Sequence, residues 1–184
     1  MQGNSGITLT SPVNVAVSGN HVQNINGAAL SVTCPSWPNC SGGGAVNIAA
    51  NEFSAGPLNC CSSIVYLSGV SGSFTQNTMN PPEDYDIAVQ MDNTGAGFKV
   101  ASNNFNLANG AATQYGIYVH SDNVVITGNR VFNSGANVGA ATGIYNVGAS
   151  NPSTNKITKN EIRCFGTPTF QVTAPNVFLT CPWQ

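Results

Sequence analysis

Charge is scarce in this 184-residue chain: charged residues make up 7%, Lys and Arg total five, and the formal net charge is -2. So little positive charge excludes the electrostatic footprint of a nucleic-acid binder, and no apolar run reaches the ~20 residues of a membrane-spanning helix. Hydrophobic residues still account for 41% of the chain. They recur periodically, which argues against disorder and leaves a neutral, hydroxyl- and amide-rich surface suited to glycans or to plain solubility.

Met1-Gln-Gly-Asn-Ser-Gly6 carries neither the basic opening nor the apolar core of a signal peptide. The expectation is therefore a leader upstream of it, or no use of the secretory route. From Ile7 to Val17 apolar residues alternate with small polar ones, the period of a strand, and Asn20 ends that run. Leu30 and Val32 predict another strand before a loop from Cys34 to Cys40, and Val46 and Ile48 lead to Asn51. Further strands are predicted at Ile64–Leu67, Val70–Phe74, Ile87–Met91, Phe98–Val100, Ile117–His120, Val124–Ile126 and Gly143–Asn146, with another around Ile157. No period of 3.6 persists over ten residues, so no substantial helix is expected.

One phrase runs through these elements. It reads Val17-Ser-Gly-Asn20, Ile48-Ala-Ala-Asn51, Phe74-Thr-Gln-Asn77, Val100-Ala-Ser-Asn103, Ile126-Thr-Gly-Asn129 and Ile157-Thr-Lys-Asn160. The asparagines follow one another at 31, 26, 26, 26 and 31 residues. The two longer intervals are assigned to inserted loops, the cysteine-closed one and Asn151-Pro-Ser-Thr154. A period near 26 without intervening helices predicts a solenoid whose successive strands stack in parallel. The stretch Asn176-Val-Phe-Leu-Thr-Cys181 matches Asn123-Val-Val-Ile-Thr-Gly128, with Pro182 where a ladder asparagine would stand. It is taken as a last partial coil.

The phrases Gly116-Ile-Tyr-Val119 and Gly143-Ile-Tyr-Asn146, each followed by a loop and a hydrophobic-x-x-Asn turn, resemble the repeats of pectin lyase-like proteins. That superfamily spans pectate lyases, polygalacturonases, alginate epimerases, phage tailspikes and periplasmic NosD-like proteins. The resemblance covers nearly the whole chain. It implies an all-β fold, a right-handed single-stranded parallel β-helix of about six to seven coils. Residues 1–184 would form one such domain or a piece of a longer one, at an extracellular, periplasmic or virion surface. It also implies that Asn20, Asn51, Asn77, Asn103, Asn129 and Asn160 form a structural ladder of side-chain amides.

Aligning the strands by inward pairs (Val65 and Leu67, Ile87 and Val89, Ile117 and Val119, Ile144 and Asn146) predicts the outward rows. One row is Tyr66, Ala88, Tyr118 and Tyr145; the next is Ser68, Gln90, His120 and Val147; on the other side lie Asp86, Gly116 and Gly143. Tyrosines beside amides suit a polysaccharide-binding face, with Tyr66, Gln90, Tyr118 and Tyr145 as the contacts. The same row equally suits an aromatic ladder or a subunit contact, for instance in a homotrimer forming a spike, fibre or surface layer.

Catalytic candidates are Asp84 and Asp86, from the acidic cluster Pro81-Pro-Glu-Asp-Tyr-Asp86, and His120 with Asp122 two residues on. Whether the protein is an enzyme stays open; a polysaccharide lyase or a glycoside hydrolase would be the form. No cofactor is required, although Glu83 and Asp84 are of the type that holds calcium. The aspartate trio of polygalacturonases, the Asp-Pro-His-Glu signature of alginate epimerases and a lyase-type basic residue in the patch are not matched.

Six cysteines make an even count. Cys34 and Cys60 each stand 17 residues before a ladder asparagine (51 − 34 and 77 − 60), which stacks them on neighbouring coils within reach of a disulfide. Cys40 with Cys61 and Cys164 with Cys181 would be the other pairs, with buried free thiols as the alternative. No spacing is that of a zinc site.

Overall fold

A computed structural model describes residues 6–23, 27–35, 44–54, 63–80, 86–107, 114–134, 141–148, 154–170 and 176–179, without the side chains of 168–170. Among these residues twenty short strands wind into a parallel β-helix. The first coil consists of β1 (Ile7–Thr10), β2 (Val15–Ser18) and β3 (His21–Val22), and the second of β4 (Leu30–Thr33), β5 (Ala45–Ala49) and β6 (Glu52–Phe53). The third comprises β7 (Ser63–Ser68), β8 (Ser71–Thr75) and β9 (Thr78–Met79); the fourth β10 (Ile87–Asp92), β11 (Lys99–Ala101) and β12 (Asn104–Leu107). The fifth holds β13 (Gln114–His120), β14 (Val125–Thr127) and β15 (Arg130–Asn133), and the sixth β16 (Ala141–Asn146), β17 (Lys156–Thr158) and β18 (Glu161–Arg163). A partial seventh has β19 (Thr167–Phe170) and β20 (Val177–Leu179).

Each strand pairs in parallel with its equivalents on the coils before and after, giving three sheets. Sheet A runs β1-β4-β7-β10-β13-β16-β19, sheet B β2-β5-β8-β11-β14-β17, and sheet C β3-β6-β9-β12-β15-β18-β20. Alternation turns one residue in two inward. The rows Val17–Ile48–Phe74–Val100–Ile126–Ile157 of sheet B and Val22–Phe53–Met79–Phe105–Val131–Ile162 of sheet C stack along the axis. Most of these side chains are fully enclosed, and the Phe53 and Phe74 rings stack at 6.2 Å. Burying a chain of this size is worth ~2 kcal/mol or more per large side chain, which is why the inward register is strict.

The bend between sheets B and C explains the asparagines. Gly19, Ala50, Gln76, Ser102, Gly128 and Lys159 all have φ between 55° and 66°, a left-handed residue that swings the chain from one sheet to the next. The asparagine that follows turns inward. Its Oδ1 accepts from both the backbone N–H and the Nδ2 of the asparagine one coil earlier, as in Asn51 to Asn77 at 3.0 and 2.9 Å. Its Nδ2 also donates to a carbonyl of the coil before, as from Asn103 to Phe74 O at 2.9 Å. A sheared turn that would otherwise bury unpaired backbone groups is thereby satisfied.

The ladder has one more rung than the sequence predicts. Asn160 donates from N and Nδ2 to Asn176 Oδ1 at 3.0 and 2.9 Å, and Asn176 donates to Ile157 O at 3.2 Å. Asn176 is thus equivalent to Asn129, not to Asn123, and Val177–Leu179 continues sheet C rather than sheet B. The amide pairing sets the phase of this last coil. A short apolar run fits either sheet equally well.

Cys34 and Cys164 are disulfide-bonded, which removes the free-thiol alternative for these two. Their expected partners Cys60 and Cys181, and the pair Cys40 and Cys61, lie outside the described residues. Among those residues no helix is long and apolar enough to cross a membrane.

Candidate functional site on the outer face of sheet A

Sheet A carries the tyrosines, and its register corrects the predicted rows. Gln90 pairs with Tyr66 on one side and Tyr118 on the other, and Tyr118 pairs with Tyr145. Strand β10 therefore sits two residues further along than expected: Val89 and Met91, not Ile87 and Val89, match Val65 and Leu67. A slip of two leaves inside and outside unchanged, so period-two alternation is blind to it. The outward row is Ser31, Tyr66, Gln90, Tyr118, Tyr145. Ala88, expected there, is buried.

The row beyond it reads Thr33, Ser68, Asp92, His120. Asp92 was not singled out by the sequence, and it is the carboxylate that meets His120 from the neighbouring strand. Its Oδ1 stands 3.7 Å from His120 Nδ1, and its Oδ2 accepts a 2.9 Å hydrogen bond from Gln90 Nε2. The Asp92 side chain is 18% exposed and that of His120 49%. The polar end of the patch is thus anchored at its carboxylate and open at its imidazole.

Tyr115 is the second residue the sequence missed. Strict alternation places it inward with Ile117. In four neighbouring strands, however, two successive residues face the core: Ile64-Val65, Ala88-Val89, Gly116-Ile117 and Gly143-Ile144. At Gly116 a Cβ would lie 2.5 Å from Gly143 O and 2.6 Å from Val131 Cγ1, so only glycine fits. This doubled inward step leaves Gly116 and Gly143 buried rather than outward and returns Tyr115 to the outer face. Its ring meets Tyr118 edge-on at 5.6 Å and Tyr145 at 5.0 Å. Tyr118 and Tyr145 stack at 5.4 Å with 17° between planes. The signal available in the sequence was glycine at the same place in Gly116-Ile-Tyr and Gly143-Ile-Tyr.

Burial, with Tyr145, Asp92 and Tyr115 adding to it, raises the Tyr118 hydroxyl above its ordinary value of 10. It stays a protonated donor throughout the neutral range.

Asp86, another catalytic candidate, stands just before β10, at the opposite end of that strand from Asp92. Asp86 is exposed and lies six residues before Asp92, about 20 Å along an extended strand. Its carbonyl accepts from Tyr115 N at 2.7 Å. Paired carboxylates for glycoside cleavage stand roughly 5–9.5 Å apart, so Asp86 and Asp92 are not such a pair. Asp84 and Glu83 lie outside the described residues, among which no group of three or more His, Cys, Asp or Glu converges as metal ligands do.

A shallow groove of about 370 Å3 lies elsewhere, at the turn between sheets B and C, lined by Gly19, Asn20, His21, Ala50, Asn51, Glu52, Gln76 and Thr78. Its polar feature is His21, whose Nδ1 meets Glu52 Oε2 at 2.9 Å and whose Nε2 meets Gln23 Oε1 at 3.0 Å. Both ring nitrogens are engaged, which leaves neither free for acid–base work.

No protein-family model, no curated protein and no solved structure matches this chain. Its likeness to other β-helices is a likeness of strand topology and asparagine ladder.

Proposed function

We propose that the outer face of sheet A engages a polysaccharide, in a β-helix of the pectin lyase-like kind at an extracellular, periplasmic or virion surface. The observation that carries this is one unbroken outward patch: Tyr66, Gln90, Tyr118, Tyr145 and Tyr115, edged by Ser68, Asp92 and His120. Aromatic rings supply apolar area for the C–H faces of sugars, while hydroxyl, amide and carboxylate tips answer their hydroxyls. Disulfides at Cys34 and Cys164 favour an oxidising compartment. Binding is favoured over cleavage, since Asp86, six residues before Asp92 on an extended strand, stands beyond the separation of a catalytic carboxylate pair.

The test is affinity electrophoresis of wild type and Tyr118→Ala through gels containing neutral or anionic polysaccharides. Retardation of the wild type, weakened about tenfold in the variant (~1.4 kcal/mol), is expected. Equal retardation of both proteins would remove the patch from the binding role.

A second function, a structural module in which this face joins copies of the chain, is favoured by the mutual stacking of Tyr118 and Tyr145. Rings that cover one another stabilise a sheet without any ligand. Light scattering over a concentration series separates the two. A stable trimer whose assembly Tyr118→Ala disrupts supports the module, and a monomer supports the open face.

A further inference from the structure

We infer that the Gln90 rung of the tyrosine row is a slot for a single neutral sugar ring. This rests on the polysaccharide-binding function proposed above. Tyr66 and Tyr118 flank Gln90 on the two adjacent strands, so they are two strand spacings, about 9.6 Å, apart. On the next rung along, Tyr118 and Tyr145 occupy adjacent strands and stack at 5.4 Å. The interval between Tyr66 and Tyr118 is therefore that of a three-membered stack whose middle ring is missing.

Gln90 does not take the missing ring's place. Its Nε2 donates along its own strand to Asp92 Oδ2 at 2.9 Å, which commits the amide to Asp92 rather than to the tyrosines on either side. A pyranose lying parallel to the tyrosines occupies the empty position at roughly the spacing of an aromatic pair on either side. Ser68, Asp92 and His120 line the end of the slot on three successive strands. Asp92 accepts from sugar hydroxyls, and the half-exposed His120 imidazole and the Ser68 hydroxyl serve as further partners.

Charge decides the class of sugar. None of the seven strands of sheet A contains Lys or Arg, and the carboxylate of Asp92 points into the patch. A uronate would meet a like charge with no cation to answer it, so the slot takes a neutral hexose or pentose ring and rejects uronates.

The experiment is isothermal titration of wild type, Gln90→Tyr, Tyr66→Ala and Tyr145→Ala against β-glucan, xylan and galactomannan oligosaccharides, with oligogalacturonate as the anionic probe. Gln90→Tyr completes the aromatic stack. It should abolish binding of the neutral probe, at least tenfold, while the thermal midpoint holds or rises. Tyr66→Ala, which removes one wall, should lose a similar factor and covers the case in which Gln90→Tyr misfolds. Tyr145→Ala lies outside the slot and should lose less than either.

Neutral binding that survives both Gln90→Tyr and Tyr66→Ala but is lost in Tyr145→Ala overturns the slot and leaves the face as a binding surface. Tighter binding of oligogalacturonate than of every neutral probe overturns the sugar class. A wild type that binds none of the probes, monomeric and folded, removes the polysaccharide function and the slot with it.

Discussion

The residues before six of the ladder asparagines adopt the left-handed conformation, and four of the six are not glycine. Ala50, Gln76, Ser102 and Lys159 sit at φ 55–58°, where a side chain costs ~1–2 kcal/mol through contact with the following carbonyl. Ala50 and Lys159 are exposed, so their side chains have little packing to lose. Replacing either by glycine should raise stability by about 0.5–1 kcal/mol, after glycine's larger entropy in the unfolded chain is deducted. Urea unfolding reads this directly, and a destabilised Ala50→Gly would mean that the turn is not strained. In the sequence these positions are nearly invisible, because Gly, Ala, Gln, Ser and Lys share no property except being the residue before Asn.

At the scale of the element, the ladder couples coils that side-chain packing alone would only stack. Asn103 lies mid-ladder and buried: its Oδ1 accepts from Asn77 N and Nδ2, and its Nδ2 donates to Phe74 O and Asn129 Oδ1. Asn103→Ala strands several buried groups at once and should cost about 3 kcal/mol, whereas Asn20→Ala, at the end of the ladder and partly in water, should cost about 1 kcal/mol or less. Comparable losses at the two sites would mean that the ladder contributes through turn geometry rather than through buried hydrogen bonds.

The His21–Glu52 contact pins the first coil to the second by a different means. The hydrogen bond with Gln23, then that with Glu52 and its charge, hold the His21 imidazole above its ordinary value of 6.5. A raised folded-state value means the protonated form is the one that folding favours. The contribution is complete below pH 6.5 and fades as pH climbs through the raised value. The difference in melting temperature between wild type and His21→Gln should therefore shrink from about pH 5.5 to 8.5. A difference that grows with pH would reverse the assignment.

For the whole molecule, disulfides add cross-links to a stack whose coils otherwise touch only their neighbours. Reduction under native conditions should lower the melting temperature, and Cys164→Ala should cost about 2–5 kcal/mol. Calorimetry with and without reductant checks both, and an unchanged midpoint would make these bridges dispensable. The last coil is the least covered part of the described structure. Phe178 continues the inward row of sheet C through its pairing with Ile162, yet it is 48% exposed where Ile162 is 1%. Phe178 lies on the end strand of sheet C, which is paired on one side only among the described residues.

Sequence by itself determined the solenoid, its period, the all-parallel pairing and the asparagine ladder, because each follows from a repeat of apolar alternation and a fixed polar residue at the turn. It also placed Tyr66, Tyr118 and Tyr145 on one outer row. The tertiary structure alone decided how the rows line up across strands. Asp92 beside His120 and Gln90 between two tyrosines depend on a two-residue shift that preserves the alternation of inside and outside, whereas Asn176 as the seventh rung depends on its amide pairing with Asn160, which turns Phe178 inward in place of Val177 and Leu179. Tyr115 depends on a doubled inward step at Gly116. Periodicity records which face a residue takes, whereas the register that brings chemistry together is set by which strand its neighbours pair with, and that is a property of the packed coil.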